Sequence, residues 1–333
     1  MRSTVLVITA LEDLTADLVV SALNEREVPV VRVDPADIGS ALTFGFHLGP
    51  DTLEWGGRLR TPSRDLDMRK VAAVYYRRPT PYATRFGHLP RQQGDFAAAE
   101  ARHGLGGVLN VLHGRVYVNH PHAVFRADFK PAQLQRFAAL GLRVPPTLIT
   151  NEAEAARTFA TAHGRIVYKT FRGLPRDQDG HTGAIWTQRV EPDSFDEALT
   201  VTAHLFQTEI PKSGDARITV VGRRVFAQRI TTPDEALDWR RGDWSELSHS
   251  LIAVPSPIEA ALHTYLDSFG LVFGCFDFVL TGDGDDPGDW WAIECNPNGQ
   301  WGWLPDATDI AEAFADILSL QVRKERADHG DAD

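Results

Sequence analysis

Three oxygen-bearing side chains stand close together near the end of this chain: Asp277 in Cys275-Phe-Asp-Phe-Val279, and Glu294 and Asn296 in Ala292-Ile-Glu-Cys-Asn-Pro297. The runs Phe273 to Leu280 and Trp290 to Cys295 read as strands, joined by the turn-forming Thr281-Gly-Asp-Gly-Asp-Asp-Pro-Gly-Asp289. An antiparallel hairpin puts Asp277 beside Glu294 and Asn296. Two carboxylates and an amide oxygen converging on one point make a hard, oxygen-only ligand set. Mg²⁺ takes such ligands at about 2.0–2.1 Å and fills its other positions with water or phosphate. The alternative is that arginines hold both acids, because an acid in an aromatic strand is costly to bury without a cation or donors.

Upstream lie groups that can hold a phosphorylated ligand. Lys169 sits in the strand-like run Ile166-Val-Tyr-Lys-Thr170, where a lysine is out of character. It either points into a cleft towards phosphate or is a solvated edge-strand residue. Lys130 opens a helix, Lys130 to Leu140, closed by Gly141. The segment Phe206-Gln-Thr-Glu-Ile-Pro-Lys212 reads as the end of a helix and an extended connector, able to offer backbone N–H and C=O to an adenine edge. Asp215 and Arg217 open the strand that follows.

These groups need elements to carry them. Val5 to Ile8, a helical repeat of Leu14, Leu18, Val19 and Leu23, and Val28 to Val33 suggest a parallel α/β unit. No glycine follows the first strand, so a dinucleotide fingerprint is absent. A hairpin over 42–59 and a strand from Val71 to Tyr76, ending in Arg77-Arg78-Pro79, continue this unit, and residues 91–113 are helical. Asn119-His-Pro121 marks a boundary. Asn151 reads as the N-cap of a helix over 152–163, Phe195 to Phe206 reads as a helix, and 173–183 reads as a mobile polar loop. Strands at 216–221 and 224–230 form a hairpin, and helices follow at 256–269 and 307–322. The domains expected are 1–120, 121–207 and 208–323, with a frayed tail at 324–333.

The 333 residues suffice for two or three modules, and 43% hydrophobic with 24% charged residues is ordinary for a globular protein. A net charge of −11 argues against a general nucleic-acid binder. No signal peptide or membrane span is read, and Cys275 and Cys295 read as reduced core thiols or a cross-hairpin bridge.

The order Lys130, Lys169, Gln207-Thr-Glu-Ile210, Asp215-Ala-Arg217, Asp277 and Glu294-Cys-Asn296-Pro resembles the ATP-grasp ligases. The runs Arg77-Arg-Pro79, Asn119-His-Pro121, Val144-Pro-Pro-Thr-Leu-Ile-Thr150, Val220-Val-Gly222 and Asn296-Pro-Asn-Gly-Gln-Trp-Gly302 resemble one branch in particular: the maturases of graspetides of the microviridin kind, with the actinobacterial-type members nearest. The resemblance covers nearly the whole chain. It implies an ATP-grasp fold, α/β with an α+β C-terminal half, behind an N-terminal Rossmann-like pre-ATP-grasp domain. It implies ATP and Mg²⁺, and a ribosomally made precursor peptide with a leader as partner. It also implies a cytoplasmic homodimer without nucleic-acid or membrane partners.

By the same resemblance, Lys130 and Lys169 contact nucleotide phosphates, Glu209 and Ile210 the adenine edge, and Asp215 the ribose, with Lys212 beside it. Asp277, Glu294 and Asn296 hold Mg²⁺. Arg217 and Arg240 or Arg241 steady the transferring phosphoryl group. Trp301 and Trp303 either wall a peptide site or only pack the last helix. Arg77 and Arg78 either meet acidic substrate side chains or tie modules together. His249 is either a base or structural. Two other readings stay open: a different ATP-grasp ligase, adding amino acids to a protein tail or joining small metabolites, and a non-catalytic ATP-binding regulator.

Overall fold

The computed structural model describes residues 3–50, 52–112, 114–172, 183, 185–233 and 236–330. The loop expected at 173–183 lies outside these residues apart from Gly183.

The N-terminal unit is wound as expected. Strand β1 (Thr4–Ile8), helix α1 (Leu14–Glu25) and strand β2 (Val30–Val33) form a parallel crossover. A three-stranded antiparallel flap follows, made of β3 (Thr43–His47), β4 (Gly56–Thr61) and β5 (Arg64–Asp67). Strand β6 (Val71–Tyr76), short helix α2 (Tyr82–Arg85), helix α3 (Arg91–Asn110) and strand β7 (Val116–Val118) complete a parallel sheet of order β2-β1-β6-β7. Strand β1 is buried at every position, which its unbroken apolar run requires of a central parallel strand.

The middle of the chain supplies helices α4 (Pro121–Ala127) and α5 (Lys130–Ala139) and a four-stranded antiparallel sheet. Its elements are β8 (Thr147–Thr150), α6 (Ala153–His163), β9 (Ile166–Lys169), β10 (Gln188–Val190) and β11 (His204–Thr208), with sheet order β10-β9-β11-β8. Two expectations change here. The 195–206 stretch is not an α-helix: a 3-10 turn over Glu197–Val201 leads into β11, which pairs on both sides with β8 and β9. The β-branched Thr200-Val201-Thr202 lose side-chain freedom in a helix, and two-sided pairing outweighs the helical spacing of Phe195 and Leu199. Helix α6 begins one residue later than expected, with Glu152 as its N-cap and Thr150 Oγ1 accepting from the Glu152 N–H at 2.9 Å.

The C-terminal half is a five-stranded antiparallel sheet of order β14-β13-β12-β15-β16. Its strands are β12 (Gly214–Val221), β13 (Arg224–Thr231), β14 (Ser248–Leu251), β15 (Phe273–Leu280) and β16 (Trp290–Asn296), with helix α7 (Ser256–Phe269) between β14 and β15. One face is apolar: Ala216, Ile218, Val220, Phe276, Phe278 and Cys295 pack with residues of α4, α5 and α7. On the other face, Val221, Phe273 and Cys275 join α1, β1, β6 and helix α8 (Ala307–Gly330) in a core shared with the N-terminal sheet. The two cysteines belong to opposite cores and are free. Helix α8 runs to Gly330 where a frayed tail was expected from 324, because Gln321-Val-Arg-Lys-Glu-Arg-Ala327 is made almost entirely of good helix formers.

Candidate active site

Side chains two apart on a strand share a face, and residues paired across strands lie side by side. Arg217 of β12 pairs with Asp277 of β15, and Asp277 pairs with Glu294 of β16. One row across three strands therefore reads Arg217, Asp277, Glu294, with Asn296 one step along the same face. Asp277, Glu294 and Asn296 line a cleft of about 460 Å³ together with Lys130, Lys169, Glu209, Ile210, Lys212, Asp215 and Arg240, while Arg217 is buried behind Asp277. Residues expected at one site from six separate stretches of chain are thus brought to one cavity.

Basic side chains hold both acids. Arg217 Nη1 donates to Asp277 Oδ1 at 2.7 Å. Lys130 Nζ donates to Glu294 Oε2, and Arg240 Nη1 to Glu294 Oε1 at 3.3 Å. The remaining edges of the carboxylates turn towards each other: Asn296 Nδ2 lies 3.3 Å from both Asp277 Oδ2 and Glu294 Oε1. Those two oxygens share the Asn296 amide as donor, with Arg240 also donating to Glu294 Oε1, and rotation of the amide brings its oxygen to face them. Two carboxylates and an amide oxygen fit a hard divalent cation. Among the described residues no cluster of three or more His, Cys, Asp or Glu side chains could hold a metal, so the amide is the third protein donor available.

Electrostatics separates the two acids. Burial pushes the Asp277 carboxyl up, against the pull of Arg217, and the Glu294 charge adds to the rise. Burial acts the same way on Glu294, but Lys130 and Arg240 overcome it and hold that carboxyl well below the ordinary range. Lys169 forms no hydrogen bond or ion pair among the described residues. Burial lowers its ammonium from 10.5 to about 8, with Glu294 countering and Lys130 and Arg240 adding to the fall. A half-buried cation, without a hydrogen bond or ion pair among the described residues, beside a row of acids is a ready contact for phosphate.

The far end of the cleft is built from the connector between β11 and β12. Glu209 N–H donates to the Arg165 carbonyl at 2.9 Å, and its carboxylate accepts a two-pronged contact from Arg189 at 2.8 and 2.9 Å. The Glu209 carbonyl and the Ile210 N–H have no hydrogen-bond partner among the described residues, leaving the one acceptor and one donor that an adenine edge matches. Lys212 donates to Asp215 at 2.6 Å and to the Leu237 carbonyl at 3.1 Å, and is held by protein groups. Burial raises the Asp215 carboxyl to about 6 against the pull of Lys212.

Three expectations are corrected. Trp301 does not wall a peptide site: it is fully buried and stacks on Phe314 of α8 at 5.3 Å. Arg241 is exposed and turned out of the cleft, whereas Arg240 lines it. Consecutive residues of a 3-10 turn diverge by about 120°, so only one of the pair can face inward. Arg77 does not meet substrate, being buried with 1% of its surface exposed, whereas the exposed Arg78 lines the cleft. Trp303 packs with Trp239, Trp244 and His249 at ring distances of 5.1, 5.2 and 5.5 Å. His249 does not line the cleft, and burial lowers its pKa against the pull of Asp306.

Sequence reasoning missed Asp238. This buried acid grips Arg240 through Nε at 2.8 Å and Nη2 at 3.0 Å, and also accepts from the Arg240 and Thr187 N–H groups. Its signal was local: an Asp two residues before an arginine can cap the turn and hold the guanidinium at once.

Residues 4–124 match the family model described as the MvdD pre-ATP grasp domain. No curated protein matches the sequence significantly. Among solved structures, the macrocyclase MdnC bound with precursor peptide MdnA from Microcystis aeruginosa MRC is 27% identical, with a TM-score of 0.82 over 96% of this chain and 99% of that one. A RiPP-associated ATP-grasp ligase from Chryseobacterium gregarium, in complex with ADP and a leader and core peptide, is 24% identical, with a TM-score of 0.82 over 96% and 97%. The ATP-grasp ligase PsnB, complexed with a precursor variant, Mg and ADP, is 20% identical, with a TM-score of 0.75 over 97% and 99%. The fold is that of ATP-grasp ligases preceded by a pre-ATP-grasp domain.

Proposed function

We propose that this ATP-grasp chain is a ligase that matures a ribosomally made precursor peptide, joining Asp or Glu side-chain carboxylates to hydroxyl or amine side chains of the same peptide. The observation that carries the reading is the set Asp277, Glu294 and Asn296, backed by Arg217 on Asp277, facing Lys130, Lys169 and Arg240 in one cleft. The likeness to MdnC along 96% of the chain supports a peptide as the substrate.

The chemistry follows from charge. A carboxylate is a poor electrophile, and phosphoryl transfer from ATP converts it to an acyl phosphate. The adjacent hydroxyl or amine then attacks the acyl carbon, phosphate leaves, and an ester or amide closes the ring. Asp277, Glu294 and Asn296 are the residues that would hold Mg²⁺, which when bound neutralises phosphate charge and orients the transfer. Lys130 and Arg240 now neutralise Glu294, and a triphosphate competes for both cations. Lys169 supplies a third positive group, and Arg240 is held in place by Asp238. Arg217 stays beside Asp277. The Glu209–Ile210 backbone receives the base and Asp215 faces the sugar. Arg78, at the cleft wall, is positioned to meet the carboxylate being activated. No group on the enzyme need become covalently bound, and His249 has no part.

We assign ester formation ahead of amide formation, and a homodimer working in the cytoplasm, on the same resemblance. The test is ADP release by the purified protein, with and without a leader-bearing precursor peptide. Slow hydrolysis alone, strong stimulation by the full precursor and weak stimulation by the leaderless core are expected, since remote binding energy positions the reacting groups. Stimulation by a free amino acid or small amine, with none by the peptide, would replace this reading with a small-metabolite ligase.

A further inference from the structure

Arg77 lies in the pre-ATP-grasp unit, yet its guanidinium is committed to the loop that follows the metal-side strand. Nε donates to Asp13 Oδ2 at 2.7 Å, Nη1 to the Gly299 carbonyl at 3.2 Å, and Nη2 to Gln300 Oε1. Asp13 is itself fixed as the N-cap of α1 and by Thr9 Oγ1 at 2.8 Å. Gln300 Oε1 accepts a second bond from Thr15 Oγ1 at 2.9 Å. The Gln300 backbone carbonyl accepts Arg217 Nη2 at 2.9 Å, and the other arm of Arg217 holds Asp277. A continuous line of hydrogen bonds thus runs Asp13, Arg77, Gln300, Arg217, Asp277.

The loop has no slack. A Cβ on Gly299 would stand 2.4 Å from Cys275 Cβ, 2.6 Å from its Sγ and 3.0 Å from Arg217 Nη2, so the backbone is pressed onto the strand that carries Asp277. A Cβ on Gly302 would meet Thr15 Oγ1 at 2.7 Å. Asn298 adds a second tie, its Nδ2 donating to the Arg77 carbonyl and its own carbonyl accepting from Arg78 Nε, both at 2.9 Å. Burying an arginine for stability alone is poor economy, because well-packed apolar residues of similar volume are often as stable or more so. A planar fork does what they cannot: it fixes the direction of the peptide it grips.

We propose that Arg77 is a positioning residue for the metal end of the cleft, setting Arg217 and Asp277 through the Gly299–Gln300 loop. Arg77 then acts on the chemistry from the N-terminal unit without touching substrate. The proposal rests on the reading of Asp277 as part of a magnesium–nucleotide site. Outer-shell partners of metal ligands typically change metal affinity or activity 10–100-fold when altered.

The experiment uses the full-length Arg77→Lys and Gln300→Met variants. Each is checked for fold by circular dichroism and for ADP affinity by calorimetry without metal. Mn²⁺ binding at saturating ADP is then followed by electron paramagnetic resonance, alongside the Mg²⁺ concentration giving half-maximal ADP release. Arg77→Lys keeps the charge and loses the fork. Mn²⁺ binding about tenfold weaker, a matching rise in the Mg²⁺ requirement and metal-free ADP affinity within about twofold of wild type are expected. Should Arg77→Lys fail to fold, Gln300→Met, which removes only the side-chain relay, carries the test alone. Folded variants with wild-type Mn²⁺ affinity and Mg²⁺ requirement overturn the positioning role and leave the nucleotide site intact. A wild-type protein that binds neither ADP nor Mn²⁺ overturns both.

Discussion

Lys169 offers the sharpest quantitative consequence of the cleft. Burial holds its ammonium at about 8, against an ordinary 10.5. That gap corresponds to about 3 kcal/mol of unfavourable interaction with the charged form. Because the folded pKa is depressed, the unfolded chain binds more protons between about pH 8 and 10.5. Stability lost below about pH 8 is therefore regained as pH rises through that window. Phosphate reverses the preference, because an anion beside the lysine favours the charged form. If the bound nucleotide returns the pKa to 10 or above, affinity tracks the protonated fraction of the free protein and falls about tenfold from pH 7 to pH 9. About half a proton is taken up per nucleotide at pH 8. Calorimetry with a non-hydrolysable ATP analogue and Mg²⁺, in buffers of different ionisation enthalpy, measures both. Lys169→Met removes the excess slope, lowers affinity at pH 7, and raises the stability of the ligand-free protein there by up to about 3 kcal/mol. A wild-type affinity that is flat across this range, or a variant with an unchanged slope, would refute the assignment of Lys169 to phosphate.

Other consequences are simpler to check. Asp277→Asn removes ligand charge while leaving the shape, and should cut peptide-dependent ADP release by about 100-fold or more with the circular dichroism spectrum preserved. Asp238→Asn loosens the grip on Arg240; turnover should fall about tenfold or more, measured under saturating ATP and precursor, while Arg241→Ala stays within twofold. Trp301→Ala opens a cavity against Phe314 and should cost about 3–5 kcal/mol in urea unfolding, with nucleotide affinity of the folded fraction unchanged.

Much of the site was legible because its residues were out of character. A lysine in the apolar strand Ile166-Val-Tyr-Lys169 and an acid between Phe276 and Phe278 each contradict the local pattern, and both lie on the cleft. The late hairpin was legible from its turn and strand composition, which paired Asp277 with Glu294. Burial of Arg77 was not legible: an Arg-Arg-Pro run after a strand looks the same facing solvent or core. Its partners Asp13, Gly299 and Gln300 come from distant chain, so only tertiary structure brings the compensating charge. Trp301 and Trp303 carry the same side chain two residues apart, and the loop's path over Thr15 and Cys275 decides which is buried. The 195–206 segment failed for a related reason: helical spacing is local, whereas pairing with both β8 and β9 is not.

The measurement that bears most directly on the proposed function is the intact mass of the precursor peptide after incubation with the protein, ATP and Mg²⁺. The expected product is lighter than the precursor by whole waters, with one ADP formed per water lost. Mild hydroxide should reopen the rings, because esters hydrolyse far faster than amides. A product heavier than the precursor, or ATP consumed with the peptide mass unchanged, would contradict ring closure through an activated side-chain carboxylate.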